Sequence, residues 1–300
     1  MPNRSRSWNG KTSGGDWGQR FLISLIGKTS LRAAYVLLDI VLPFYLLFNR
    51  KGFRATRSFF EGRLGVKGCA AFRMTYATHR NFGQMMFDRF RLFSKGTGEF
   101  SISVEGNEEF ISRMDTGDGF VVAGSHLGSM EMAGYMLGLK DKPINAVVYG
   151  GETATMQSSR STAFSGHGVK MIPVSSDMSH LFAVKAALDE GEVVSMPCDR
   201  LLGSNKAAVR DFLGAPARFP IGAFVLAAQL EKDMVALFSV RESFRTYRVF
   251  VHPLQVEREG LGYRKVADNL ATAYVGRLEE LVRRYPTQWF NFHDFWAQDE

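Results

Sequence analysis

The sequence has few cysteines and no recognisable metal-ligand cluster. Only Cys69 and Cys198 occur in 300 residues, far apart and outside any CxxC or Cys/His pattern. This usage excludes a disulfide-stabilised scaffold and a zinc finger, and it is typical of a reducing compartment. No HExxH motif or paired-aspartate cluster indicates a catalytic metal. We therefore expect neither a metal nor another cofactor.

The sequence also lacks an apolar stretch as long as a transmembrane helix, which needs roughly twenty residues. The most apolar stretch, residues 33–48, is shorter and contains Asp39 and Pro43. A signal-peptide pattern is not evident at the N-terminus. The stretch predicts an amphipathic helix lying in a membrane surface, with a buried core helix as the alternative.

The excess of positive charge lies entirely in the N-terminal region. Residues 1–67 contain twelve Lys or Arg against three acidic residues, which gives +9, whereas residues 68–300 contain 25 basic and 27 acidic residues, which gives −2. A basic stripe interleaved with aromatics, typical of nucleic-acid binding, is not seen. The asymmetry favours contact of one end of the molecule with an anionic membrane surface. We divide the chain into a membrane-associating region, residues 1–67, and a catalytic domain, residues 68–300.

From residue 100 onward, short apolar runs alternate with helical patterns. Strands are predicted at 101–106, 119–125, 143–150, 169–174 and 192–199, followed by two more after residue 233. Helices are predicted between them, including a polar helix through Arg160. This alternation is typical of an α/β fold with a largely parallel, mixed sheet flanked by helices.

One strand end carries candidate catalytic residues. The apolar run at 119–125 leads directly to His126, and Glu131 follows at the start of a predicted helix. On a continuous helix these positions lie roughly 140° apart, so they meet only if His126 lies in the preceding turn, which Gly128 would permit. A carboxylate on one imidazole nitrogen leaves the other as a general base. The spacing alone equally fits a structural histidine.

Four ordered blocks resemble the lipid A late acyltransferases, a branch of the lysophospholipid acyltransferase superfamily. HLGSME (126–131) resembles the His-x4-Asp/Glu motif, and GEVVSMPCDR (191–200) resembles a strand that ends in Asp-Arg. VRDFLGAPARFPIGAFVLA (209–227) and YPTQWFNFHDFW (285–296) resemble two later blocks. The tail His293-Asp294-Phe295-Trp296 departs from the basic ending usual in the family, which leaves the acceptor open between lipid A and another lipid.

The resemblance implies an O-acyltransferase in which His126 is the general base and Glu131 its partner. Asp199 and Arg200 would bind substrate, with Asp199 orienting Arg200; a structural salt bridge is the alternative. Arg210 and Arg160 are further candidates for contact with a substrate phosphate.

The implied reaction moves a fatty acyl group from acyl carrier protein or acyl coenzyme A to a hydroxyl of a glycolipid or similar lipid acceptor. The implied location is the cytoplasmic face of the bacterial inner membrane, as a peripheral or monotopic protein. Two other functions remain open: an acyl-thioester hydrolase and a non-catalytic lipid-binding module.

Overall fold

The computed structural model of the protein describes residues 29–137, 142–148, 168–174, 178–201 and 206–296. Its helices are α1 (Leu31–Phe48), α2 (Arg50–Arg63), α3 (Gly68–Lys95), α4 (Asn107–Met114), α5 (Met130–Leu137), α6 (Ser179–Asp189), α7 (Gly222–Gln229) and α8 (Tyr263–Arg284). Its strands are β1 (Ser101–Glu105), β2 (Phe120–Gly124), β3 (Ile144–Val148), β4 (Val169–Pro173), β5 (Val193–Pro197), β6 (Ala207–Phe212), β7 (Ala215–Pro220), β8 (Met234–Ser243) and β9 (Thr246–Pro253). The predicted helix through Arg160 lies outside the described residues.

Within these residues, one seven-stranded sheet has the order β1-β9-β8-β2-β5-β3-β4. Neighbouring strands are parallel except for β8 and β9, which are antiparallel and joined by a short turn. Parallel strands need long crossovers, and the helices between them supply these. The predicted α/β class with a largely parallel, mixed sheet is confirmed.

The central strand β2 explains why the sheet is covered on both faces. All five of its residues are buried, and successive side chains point to opposite faces. Val121 and Ala123 belong to the apolar cluster that includes residues of α7 and α8. Phe120 and Val122 belong to the cluster that includes residues of α4 and α5. A strand that is apolar on both faces requires helices that cover both faces of the sheet.

Helix α1 contrasts with the sheet because most of its apolar side chains face outward. It is long and apolar enough to cross a membrane by length and composition alone, yet only 22% of it is buried. Ser30 caps its first turn, and Pro43 lies inside it. A half-exposed ion pair of Asp39 with Arg80, at 2.6 Å, joins it to α3.

Helix α2 also packs on α3, which begins at Gly68. The ring of Phe53 in α2 lies 5.5 Å from that of Phe72 and 5.9 Å from that of His79 in α3. The division of the chain at residues 67 and 68 into two functional parts remains a prediction.

Strands β6 and β7 form a separate antiparallel hairpin. It rests on α8, since the backbone N–H of Leu213 donates to Oε2 of Glu279 at 2.9 Å. The chain then enters α7, which packs against β2.

Candidate active site

The site is built where two neighbouring strands end at the same edge of the sheet. His126 comes two residues after β2, and Asp199 comes two residues after β5. The two strands are parallel, with Gly124 opposite Pro197. Equal offsets from paired strand ends bring the two side chains together, although 73 residues separate them in sequence. Ligands of open α/β sheets commonly bind at this carboxyl edge.

His126 and Asp199 form a close, two-point contact. The imidazole Nδ1 lies 2.7 Å from Oδ1 of Asp199, and the backbone N–H of His126 donates to Oδ2 at 2.8 Å. The Asp199 side chain is only 1% exposed, whereas that of His126 is 36% exposed. With an ionised Asp199, the proton at this contact resides on Nδ1, so that Nε2 of the neutral ring is the acceptor.

The surroundings of Asp199 keep its carboxylate ionised. Burial on its own would raise the pKa, but the charge and hydrogen bonds of His126, together with the charge of Arg200, outweigh it and hold the pKa of Asp199 at about 2. The indole Nε1–H of Trp289 donates to Oδ2 at 3.3 Å. The Asp199 carboxylate therefore accepts three hydrogen bonds, and contacts to both of its oxygens fix its orientation.

Gly128 allows the chain to turn sharply after His126. Its φ is +70°, and a Cβ at this position would lie 1.6 Å from the carbonyl oxygen of Ser239 in β8. Only glycine fits both the backbone conformation and this approach. The backbone N–H of Ser129 then donates to the same Ser239 oxygen at 2.8 Å, which connects the turn to the sheet.

The C-terminal segment 286–290 holds the turn from the other side. Gln288 accepts from Gly128 N–H through its carbonyl at 2.8 Å, and its side-chain amide pairs with both the N–H and the carbonyl of Arg241 at 2.8 Å. Phe290 N–H donates to the His126 carbonyl at 3.0 Å. Residues of the block 285–296 therefore hold the backbone that directly follows the His126 side chain, at the His126 carbonyl and the Gly128 N–H.

Glu131 forms an ion pair with helix α3. Its Oε1 lies 3.0 Å from Nη1 of Arg89 in α3, and both side chains are largely buried. The carboxylate on Nδ1 of His126 is Asp199. Asp199 reaches this nitrogen from the end of β5, while the first turn of α5 brings Glu131 to α3. The assignment of Glu131 as a catalytic partner of His126 remains a prediction.

The three arginines proposed for substrate binding have separate positions. Arg200 is half-buried and donates from Nη2 to the carbonyl of Phe290, and its desolvation lowers the pKa of its guanidinium. Arg210 lies on β6 and bonds to Thr272 at 2.9 Å and to the carboxylate of Asp268, both in α8. The structure brings Arg200 to the His126 site and engages Arg210 with α8. Arg160 lies outside the described residues.

Asp199 as the partner of His126, and Trp289 and Gln288 as supports, were not assigned these roles by the sequence. The signal for Asp199 was available, since both residues follow buried strands at the same offset. Burial raises the pKa of the neighbouring Cys198 thiol, so this thiol stays protonated and is a poor nucleophile. Among the described residues, no group of three His, Cys, Asp or Glu could hold a metal ion.

Comparison with known proteins gives one extensive match. The sequence model for bacterial lipid A biosynthesis acyltransferases matches residues 70–298. No curated protein matches the chain. A solved structure with some likeness is that of the 1-acyl-sn-glycerophosphate (LPA) acyltransferase PlsC from Thermotoga maritima, with 12% identity and a TM-score of 0.38 over 89% of this chain and 98% of that one. A likeness at this level establishes no shared activity.

Proposed function

Because the chain belongs to the bacterial lipid A biosynthesis acyltransferase family and is an O-acyltransferase, we propose that His126 and Asp199 together catalyse its acyl transfer. The observation that carries this proposal is the 2.7 Å contact between Nδ1 and a buried, ionised carboxylate. It leaves Nε2 free of a proton on a side chain that is 36% exposed and therefore reachable by substrate.

The proposed reaction needs no covalent enzyme intermediate. Nε2 of His126 takes the proton of the acceptor hydroxyl as its oxygen attacks the thioester carbonyl. The new C–O bond forms, the C–S bond breaks, and the imidazolium returns the proton to the leaving thiolate. Asp199 positions the ring and stabilises the imidazolium in between, so that it acts through His126.

Glu131 and Arg200 remain in the proposal with auxiliary roles. The Glu131 carboxylate, neutralised in part by Arg89, assists by adding negative charge on the α5 side of the imidazolium. Arg200, which is half-buried, adds a positive charge beside Asp199 and is assigned to substrate binding or to the thioester oxyanion. Arg210 and Arg160 are retained as contacts to a substrate phosphate, Arg210 after release from Asp268.

The substrates are an acyl thioester, on acyl carrier protein or coenzyme A, and a glycolipid or similar lipid acceptor. We place the protein on the cytoplasmic face of the inner membrane, with α1 lying in the lipid surface. The exposed apolar side of α1 and the charge of +9 in residues 1–67 support this location.

Product analysis tests the proposal. Purified protein is mixed with an acyl thioester and a lipid acceptor in detergent micelles, and products are followed by mass spectrometry. We expect the acceptor to gain one acyl chain. His126→Ala should transfer about 10²–10⁴-fold more slowly, because the hydroxyl loses its base.

Two other results would contradict the proposal. Release of free fatty acid without an acylated lipid would identify a hydrolase, and binding of lipid without turnover would identify a binding module. His126→Gln serves as a control of similar size. It should be as slow as His126→Ala while retaining the wild-type melting temperature.

A further inference from the structure

Strand β8 extends beyond its parallel neighbour β2 at the edge of the sheet that carries the active site. Their pairing covers residues 234–236 of β8, whereas the strand continues to Ser243. Backbone groups of a strand that lack a neighbouring strand need other partners where water does not reach them. The catalytic turn supplies one such partner, because Ser129 N–H donates to the Ser239 carbonyl at 2.8 Å. Arg241, two residues further along the same edge, presents the next pair of backbone groups.

Gln288 meets these two backbone groups with its side-chain amide. Its Oε1 accepts from Arg241 N–H, and its Nε2–H donates to the Arg241 carbonyl, both at 2.8 Å. A planar amide carries an acceptor and a donor side by side, as a peptide unit does, so this side chain takes the place of a neighbouring strand. The backbone of the same residue holds the catalytic turn, since its carbonyl accepts from Gly128 N–H at 2.8 Å. Gln288 therefore joins the turn to the free edge of β8.

The side chain of Arg241 reaches away from this contact to helices α1 and α3. Its Nη2 donates to the side-chain oxygen of the buried Gln84 in α3, and its guanidinium lies 5.6 Å from the centre of the Tyr35 ring in α1. Asn81 of α3 accepts from the same Nη2 at 3.3 Å and donates from Nδ2 to Thr287 Oγ1 at 3.0 Å. The segment that holds the catalytic turn is thus fixed, in turn, by the junction of α1 with α3.

We propose that Gln288 is a positioning residue for acyl transfer, which acts by fixing the backbone turn that aims His126 at the substrate. The proposal rests on His126 as the general base, and it adds that this base is oriented from β8 and α3 as well as by Asp199. Asp199 contacts the ring and the N–H of His126, whereas Gln288 holds the chain two residues later. A displacement of about 1 Å at a reacting group can cost about 10²-fold in rate, so loss of this support should appear in kcat.

Replacement of the Gln288 amide tests the proposal in the full-length protein. Gln288→Met keeps the length of the side chain and removes both hydrogen bonds to Arg241. It should lower kcat about 10- to 100-fold and leave KM for the thioester and for the lipid acceptor within about twofold, because neither substrate loses a contact. Gln288→Glu is a second, polar variant that sets an oxygen against the Arg241 carbonyl, and it should lose kcat to a similar extent. Gln229→Met, at an exposed glutamine that ends α7, is the matched control and should keep the wild-type kcat.

A double-mutant cycle with His126 separates positioning from a purely structural role. In the His126→Gln background, Gln288→Met should change the residual rate less than about twofold, because no base is left to position. Equal losses in the wild-type and His126→Gln backgrounds would overturn the proposal. A lower melting temperature or a raised KM, with kcat of the folded protein unchanged, would overturn it as well, since a role in folding or substrate binding alone predicts that result.

Hydrogen exchange of single amides gives a readout that does not depend on activity. In Gln288→Met, the N–H groups of Gly128 and Phe290, which bond the turn to the segment 288–290, should exchange at least about 10-fold faster. The N–H of Val122, in the middle of β2, should exchange as in the wild type. Unchanged exchange at Gly128 rejects the positioning role even if His126 is the base. Wild-type transfer by His126→Gln rejects the proposed function instead, and the exchange result still stands.

Discussion

Strand β2 and helix α1 are both strongly apolar, yet the fold treats them in opposite ways. Every residue of β2 is buried, whereas on α1 the side chains of Val36, Phe44 and Phe48 are 60%, 63% and 89% exposed. Apolar composition therefore does not determine burial within the protein. Burial depends on whether a segment has packing partners on every side. In the part of the chain that the structure describes, α1 contacts α2, α3 and the ring of Phe244, and its remaining face is exposed.

The polar contacts at the end of β2 also differ from those around α1. At the end of β2, hydrogen bonds from His126 and Trp289 converge on the Asp199 carboxylate and hold His126 in a single orientation. Around α1 they fasten the helix to the domain: the phenols of Tyr35 and Tyr247 both donate to Asp88, which is fully buried in α3. Helix α3 contacts both regions, through Asp88 at α1 and through Arg89 at Glu131.

The largest effect is expected from breaking the exposed face of α1. Replacing Val36, Ile40, Phe44 and Leu47 together by Ser should lower partitioning into anionic vesicles at least about 100-fold, because each apolar side chain withdrawn from lipid costs on the order of 1 kcal/mol. Co-sedimentation measures this. Changing Val36, Ile40 and Phe44 to Leu, with Leu47 kept, forms the control, which should sediment like the wild type. A Ser variant that still sediments would show that α1 is not the anchor.

A smaller effect should distinguish the two carboxylates of the site. Glu131→Gln is expected to lower kcat about 10-fold, less than any change at His126, because its ion pair with Arg89 lies outside the contact to Nδ1. The melting temperature should also fall, since Arg89 loses a buried partner. Steady-state kinetics and thermal unfolding check both parts. A loss as large as that of His126→Ala would mean that Glu131, and not Asp199, is the essential carboxylate.

A further effect, on stability, concerns the junction of α1 with the domain. Burial, which outweighs the two phenol hydrogen bonds, raises the pKa of Asp88 to about 6 from 3.8. The folded state thus holds this proton more tightly than the unfolded state does. Its contribution to stability is complete below about pH 4 and is lost as the pH rises to 6, by roughly 3 kcal/mol.

Unfolding by urea between pH 4 and 7 measures this contribution, with Asp88→Asn as the reference. The stability difference between wild type and variant should shift against the wild type from pH 4 to 6 and then stay constant. Parallel curves for the two proteins would show that Asp88 does not titrate in this range.

Much of the α/β framework follows from local patterns. The predicted strand at 119–125 corresponds to β2 (Phe120–Gly124), and the two strands expected after residue 233 are β8 and β9. Short apolar runs between turn residues are a strong local signal. The hairpin of β6 and β7 gave no such signal, because Arg210, Pro216 and Arg218 interrupt the apolar alternation. The helix predicted for residues 33–48 is α1, which includes Pro43 and continues to Phe48.

The contacts of the site do not follow from local sequence patterns alone. His126 could be identified because it follows an apolar strand, but its contact with Asp199 depends on β2 and β5 being neighbours in the sheet, and sheet order is not encoded by spacing. The sequence offered Glu131 as the nearest carboxylate, five positions away. The supporting contacts of Gln288 and Trp289 come from the other end of the chain and required the tertiary structure.

Acyl transfer by Asp199→Asn tests the central claim most directly. Oδ2 accepts from His126 N–H and Trp289 Nε1–H, so an asparagine oxygen placed there leaves its NH₂ group facing Nδ1. The imidazole then carries its proton on Nε2 and is no longer a base. We predict a fall in kcat of at least about 100-fold, with KM values and membrane partitioning within about twofold of wild type. A variant that keeps more than about half of the wild-type kcat would contradict the assignment of His126 and Asp199 as the catalytic pair.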